Sequence, residues 1–99
     1  MKFHQQLIDA IQNRRVLELR YDGYFRIVEP HAYGVNHDNH FLLRCYQTGG
    51  GSQSGNSVDW KLLRTDEIGS LHEHGVLFQS ARAGYKRNDQ AMQRIYAQL

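Results

Sequence analysis

The chain has 99 residues, enough for one hydrophobic core and too few for two independent domains, so it is read as a single domain over 1–99. With 40% hydrophobic and 22% charged residues it lacks the bias of a disordered tract, and no apolar run approaches the ~20 residues that a bilayer requires. Twelve Lys and Arg against ten Asp and Glu leave a formal charge of +2, too mild for a general nucleic-acid coat, and the lone Cys45 excludes an internal disulfide.

From Phe3 to Ile11 the apolar residues Phe3, Leu7, Ala10 and Ile11 recur at helical spacing, which predicts a short amphipathic helix ended by Asn13. From Val16 to Tyr21 the period becomes two, with Leu17, Leu19 and Tyr21 on one face and Glu18 and Arg20 on the other. Asp22-Gly23 supplies the positive φ angles of a tight two-residue turn, and Tyr24 to Val28 alternates again, which makes a hairpin. Pro30 has no amide hydrogen to donate, so it marks the end or a kink of that strand, with a short third strand over Ala32 to Val35.

Asn36-His37-Asp38-Asn39 is turn chemistry, and His40 to Gln47 is the strongest strand because Phe41, Leu42 and Leu43 form an apolar run. The stretch from Thr48 to Ser57 is nearly all Gly, Ser, Gln and Asn and reads as a hairpin loop. A strand over Val58 to Arg64 follows, then a tight turn at Thr65 to Ile68 and a short strand through Leu71. Gly75 to Gly84 reads as irregular, with Val76, Leu77 and Phe78 free to plug a barrel end. From Asn88 the stripe Met92, Ile95, Tyr96 and Leu99 predicts a second helix over 88–99, capped by Asn88 or Asp89 and docked on the sheet.

Helix, about five short strands, then helix defines an α+β domain: a strongly bent antiparallel sheet or small open barrel with a helix at each end and a core over 3–78. The opening residues, Met1 to Gln6, hold no apolar export signal, so a cytoplasmic location and no membrane partner are expected.

Several of these residues resemble the WYL domain, an Sm-like or SH3-like β-barrel of bacterial and phage transcription regulators. The resemblance spans about Ile8 to Leu71 and rests on Ala10-Ile11, Leu19 and Tyr21, Arg26-Ile27-Val28-Glu29-Pro30, Tyr33-Gly34, and the stretch Lys61, Leu63, Arg64, Asp66 and Ile68. The family's naming tripeptide falls on His40-Phe41-Leu42, where His stands for Trp and Phe for Tyr, so the phenolic hydroxyl is missing. The resemblance implies a domain that senses a ligand, in some members single-stranded nucleic acid or a nucleotide-like molecule, and passes that state to a DNA-reading helix pair. About a dozen residues precede the first strand, too few for such a pair, so a sensor or adaptor without direct operator reading is expected.

The constellation that carries chemistry is Arg26, Arg44, Lys61 and Arg64 on predicted strands, with Tyr46 and Trp60 as stacking surfaces and His40 beside them. Gathered on one face these would hold phosphates; the competing reading leaves each cation solvated or paired with Glu18, Glu29, Asp59 or Asp66. Lys61 is out of phase with Trp60, Leu62 and Arg64, so only part of the set shares a strand face. His72-x-His74 has a metal-compatible spacing but no fixed third ligand, Cys45 reads as a buried inert thiol, and no Ser sits in a strained elbow, so no metal, cofactor or catalytic site is expected.

The expected function is therefore non-enzymatic: recognition of a nucleotide or short single-stranded nucleic acid in transcription regulation. The alternative is a protein-interaction or homodimerisation module using an edge strand or the terminal helix.

Overall fold

The computed structural model describes all 99 residues and folds as α1 (His4–Gln12), β1 (Arg15–Tyr21), β2 (Tyr24–Val35), β3 (Phe41–Gly50), β4 (Asp59–Arg64), a 3-10 turn (Thr65–Glu67), β5 (Ile68–Leu77) and β6 (Arg94–Gln98). All strand pairs are antiparallel, in the order β4-β3-β2-β1-β5, and β6 adds to β2. No helix is long and apolar enough to cross a membrane.

The local chemistry explains most boundaries. Leu7, Ala10 and Ile11 fall on one side of α1 and are buried, and the Asn13 side chain closes the helix by donating to the Asp9 carbonyl at 2.8 Å. Asp22 and Gly23 both take positive φ, +55° and +81°, as a tight hairpin with the right-handed strand twist requires. Asn36 Oδ1 accepts the amide hydrogens of Asp38 and His40, which fixes the β2–β3 turn.

Leu17 and Leu19 of β1, Val28 and Tyr33 of β2, Leu43 and Cys45 of β3, Leu63 of β4, and Ile68 and Leu71 of β5 share one core with α1 and Ala97. A flat sheet cannot bring its two edge strands, β4 and β5, to one cluster, so the sheet curls around this core. The sheet is not closed: β4 and β5 remain edges, joined by the 3-10 turn. There the Tyr21 hydroxyl accepts the Arg64 amide hydrogen at 3.2 Å and donates to Glu67 at 3.0 Å.

Two expectations change. Pro30 does not end its strand: β2 runs unbroken for 12 residues, with a register shift between Pro30 and Ala32 that leaves His31 as an extra residue. The predicted terminal helix is also absent. Residues 88–92 make one turn, with Asp89 accepting the Ala91 amide hydrogen at 3.0 Å, and the chain then extends as β6 along Ala32 to Val35. Backbone groups of β2 in this half have lost β1 as a partner, and a strand satisfies them where a short helix would leave them unpaired. β3 and β5 are longer than expected, Phe78 is buried while Val76 and Leu77 are exposed, and the irregular segment is 78–93.

Gly34 allows β6 to approach. A Cβ at this position would collide with the Arg94 carbonyl oxygen and lie 2.9 Å from Met92 Sδ. Gly34→Ala is expected to lower stability by about 1–3 kcal/mol in urea unfolding through overpacking; an unchanged midpoint would show that β6 is not tightly docked.

Candidate functional site

Strand alternation sorts the predicted site residues. The β3–β4 register pairs Leu42 with Arg64, Arg44 with Leu62, and Tyr46 with Trp60, so these six share the outer face, away from Leu43, Cys45 and Leu63. Lys61 pairs with Cys45 on the other face, and its ammonium closes the glycine- and serine-rich loop by donating to Ser52 Oγ, Ser54 Oγ and the Asn56 carbonyl at 3.0, 3.4 and 2.7 Å.

Arg26 is buried, and its guanidinium donates to the Tyr21 carbonyl at 3.2–3.3 Å and to Gln47 at 3.3 Å, packed over the Tyr21 and Tyr24 rings. Arg64 pairs with Asp66 at 2.9 Å, which holds that carboxyl below its ordinary range. His40 is half-buried in the turn before β3. The four cations therefore do not meet: Arg26 and Lys61 hold backbone and loop, and only Arg44 lies beside the Tyr46–Trp60 pair.

Residues 78–93 cover that outer face. Arg82 pairs with Glu29 of β2 at 2.7 and 3.0 Å and stacks over Tyr46 at 4.8 Å, bridging two strands. Phe78 and Tyr85 pack on the His31 ring, and Met92 fills a small cluster with Ala32 and Leu42. Sequence reasoning missed Tyr85, Lys86, Arg87 and Asp89 as site residues. Their signal was the short basic run after Gly84, which lay between a stretch read as irregular and one read as helix.

Between this segment and β3–β4 lies a cleft of about 370 Å³, lined by Arg44, Trp60 and residues 84–90. Trp60 meets Tyr46 and His31 edge to face, and Tyr85 lies near-parallel to it at 6.1 Å. Gly84 takes φ +89°, which favours glycine, and its backbone passes close to the indole edge, where a Cβ would lie in ordinary contact with Trp60 Nε1 at 3.4 Å. Three cations, Arg44, Lys86 and Arg87, line the cleft beside a single carboxylate, Asp89. Asp89 accepts two hydrogen bonds from Arg44, at 2.7 and 3.3 Å, and this pairing depresses its pKa. Arg87 donates to the Leu99 carbonyl at 2.8 Å through Nε.

No family model, curated protein or solved structure matches the chain. The functional reading therefore rests on the residues themselves. No group of three or more His, Cys, Asp and Glu side chains is placed to hold a metal ion, and His74 instead contacts Glu18 at 2.9 Å. Cys45 is fully buried and its thiol is pushed up to about 12, which leaves it a packing residue. The larger groove, about 700 Å³ beside Val76 and Leu77, is open and mostly apolar, with no comparable convergence of cations.

His31 fastens the cleft's roof. Its Nε2 accepts the Arg82 amide hydrogen at 3.1 Å, so the proton resides on Nδ1, which donates to the Glu29 carbonyl at 2.8 Å. Burial lowers its pKa, so in acid the unfolded chain takes up a proton at this residue that the folded chain refuses. Stability from this group is complete above the ordinary histidine value of ~6.5 and is lost as pH falls below it. The urea midpoint of the wild-type chain is expected to drop as pH falls below about 6.5, and His31→Gln to flatten that dependence while lowering the midpoint at pH 7. Equal slopes in the two proteins would contradict the assignment.

Proposed function

We propose that this chain is a non-enzymatic, WYL-like binding domain that recognises a planar, phosphate-bearing ligand, a nucleotide or short single-stranded nucleic acid, in the cleft at Trp60, and that it serves a regulatory role. The observation that carries the reading is the coincidence of an indole with three cations and one carboxylate. Cations supply the attraction for phosphate, and aromatic faces supply stacking that every base accepts. The Trp60 Nε1–H makes no hydrogen bond to the chain's own side chains or backbone and can donate to a ligand acceptor.

The order of elements supports the WYL-like, SH3/Sm-barrel part of the reading: one helix, then five strands curled around a single core. The residues of the resemblance have architectural work in that frame. Arg26 clamps Tyr21 to Gln47, Glu29 receives Arg82, and Gly34 admits β6.

Trp60 is the only tryptophan, so its emission reports on the cleft alone. Titration with adenosine 5′-monophosphate or a short single-stranded oligonucleotide is expected to quench it in the micromolar range. Added salt should weaken binding through counterion release, and Lys86→Ala with Arg87→Ala should weaken it by about tenfold or more. Lys61→Ala, on the opposite face, should leave the ligand affinity unchanged. Emission unmoved at millimolar concentrations of both probes would overturn the reading.

A second reading, self-association, is favoured by one feature: β5 is an edge strand whose Val76 and Leu77 are more than half exposed. A strict monomer in light scattering at high protein concentration would remove it.

A further inference from the structure

We infer that Asp89 is a built-in occupant of the cleft's anion position, displaced from Arg44 by the ligand, and that this selects a terminal phosphate monoester over an internal phosphodiester. The inference rests on the cleft being the ligand site proposed above. Asp89 is the single acidic side chain among the lining residues, and it sits on Arg44 in the two-bond geometry a phosphate would adopt. It is also carried on the irregular segment 78–93, outside any strand, so its carboxylate can move without breaking a sheet pair.

What can remove it follows from charge and valence. A phosphodiester brings one negative charge and two free oxygens, which only matches the carboxylate it would replace. A phosphate monoester brings about −1.5 to −2 charges at pH 7 and three acceptor oxygens. It can take both Arg44 hydrogen bonds and still present an oxygen to Lys86 or Arg87. The displaced carboxylate releases the Ala91 amide hydrogen that it accepts at 3.0 Å, so ligand entry also loosens the turn leading into Met92 and β6. Binding is thereby linked to the strand that pairs with Ala32 to Val35.

The test uses three probes on the full chain: adenosine 5′-monophosphate, a 5′-phosphorylated adenine dinucleotide, and the same dinucleotide without the terminal phosphate. Wild-type protein should bind both monoesters about tenfold or more tightly than the diester; comparison of the two monoesters separates a free nucleotide from an oligonucleotide end. Asp89→Asn keeps an acceptor for the Ala91 amide and removes the competing charge. It should tighten diester binding roughly three- to tenfold and narrow the monoester preference, as expected for one charge removed beside the site. As a check on the wild-type fold, the Ala91 amide resonance should move on saturation with adenosine 5′-monophosphate. Micromolar binding of all three probes with no preference, no gain in Asp89→Asn and a fixed Ala91 resonance would make Asp89 a structural strut and leave the cleft reading intact. Binding of none of them by either protein would remove the inference together with the reading beneath it.

Discussion

One extra residue in β2 turns a buried histidine toward the segment that covers the sheet and gives the chain beyond β5 three of its anchors. Val28 and Tyr33 both point inward, yet they stand an odd number of positions apart, which a regular period-two strand does not allow. The bulge resolves the conflict by placing His31 on the outer face. There its carbonyl accepts the Leu99 amide hydrogen at 2.9 Å and lies 3.3 Å from the Tyr85 hydroxyl, while its ring accepts the Arg82 amide hydrogen. A single displaced residue thus holds the chain at 82, 85 and 99. Together with the Arg82–Glu29 and Arg44–Asp89 pairs and the β6 pairing, these anchors hold the covering segment over the outer face of β3 and β4.

The charges divide along the same line. Inside the curl, Arg26 is spent on a backbone carbonyl and a glutamine, contacts that satisfy a buried guanidinium without a carboxylate. At the loop end, Lys61 gathers oxygen atoms of Ser52 and Asn56 and so adds to the tethers of the glycine-rich stretch. Exposed pairs such as Arg64–Asp66 add little stability because water screens them. Only where residues 84–90 pass over Trp60 does a surplus of cations border an aromatic wall. Function is therefore read from the segment that covers the sheet rather than from the sheet itself.

The parts of this architecture that depend on neighbours in the chain were legible in advance. Helical spacing from Phe3 to Ile11, alternation in β1, the Asp22-Gly23 turn and the apolar run of β3 are local signals, and each appears near its expected place. What escaped was set by distant partners. The stripe Met92, Ile95, Tyr96 and Leu99 has helical spacing, but the vacant edge of β2 imposes an extended backbone that no local pattern encodes. Pro30 carried a true signal of irregularity, and the structure spends it on a bulge inside a continuous strand. For the candidate site, Arg44 and Trp60 were named in advance, but the residues that complete the cleft, Tyr85 to Asp89, come from the far side of β5 in the chain and are held there by distant partners, among them His31, Glu29 and Arg44 itself.

Ligand entry between Trp60 and the covering segment is the central premise of the proposed site. Nuclear magnetic resonance mapping of the full chain with adenosine 5′-monophosphate tests it most directly. The Trp60 indole N–H and the backbone amides of 84–89 are expected to move together, while Arg26 and the loop at Lys61 stay in place. Shifts centred on residues 51–57 or on Arg26, with the indole signal unmoved, would contradict it.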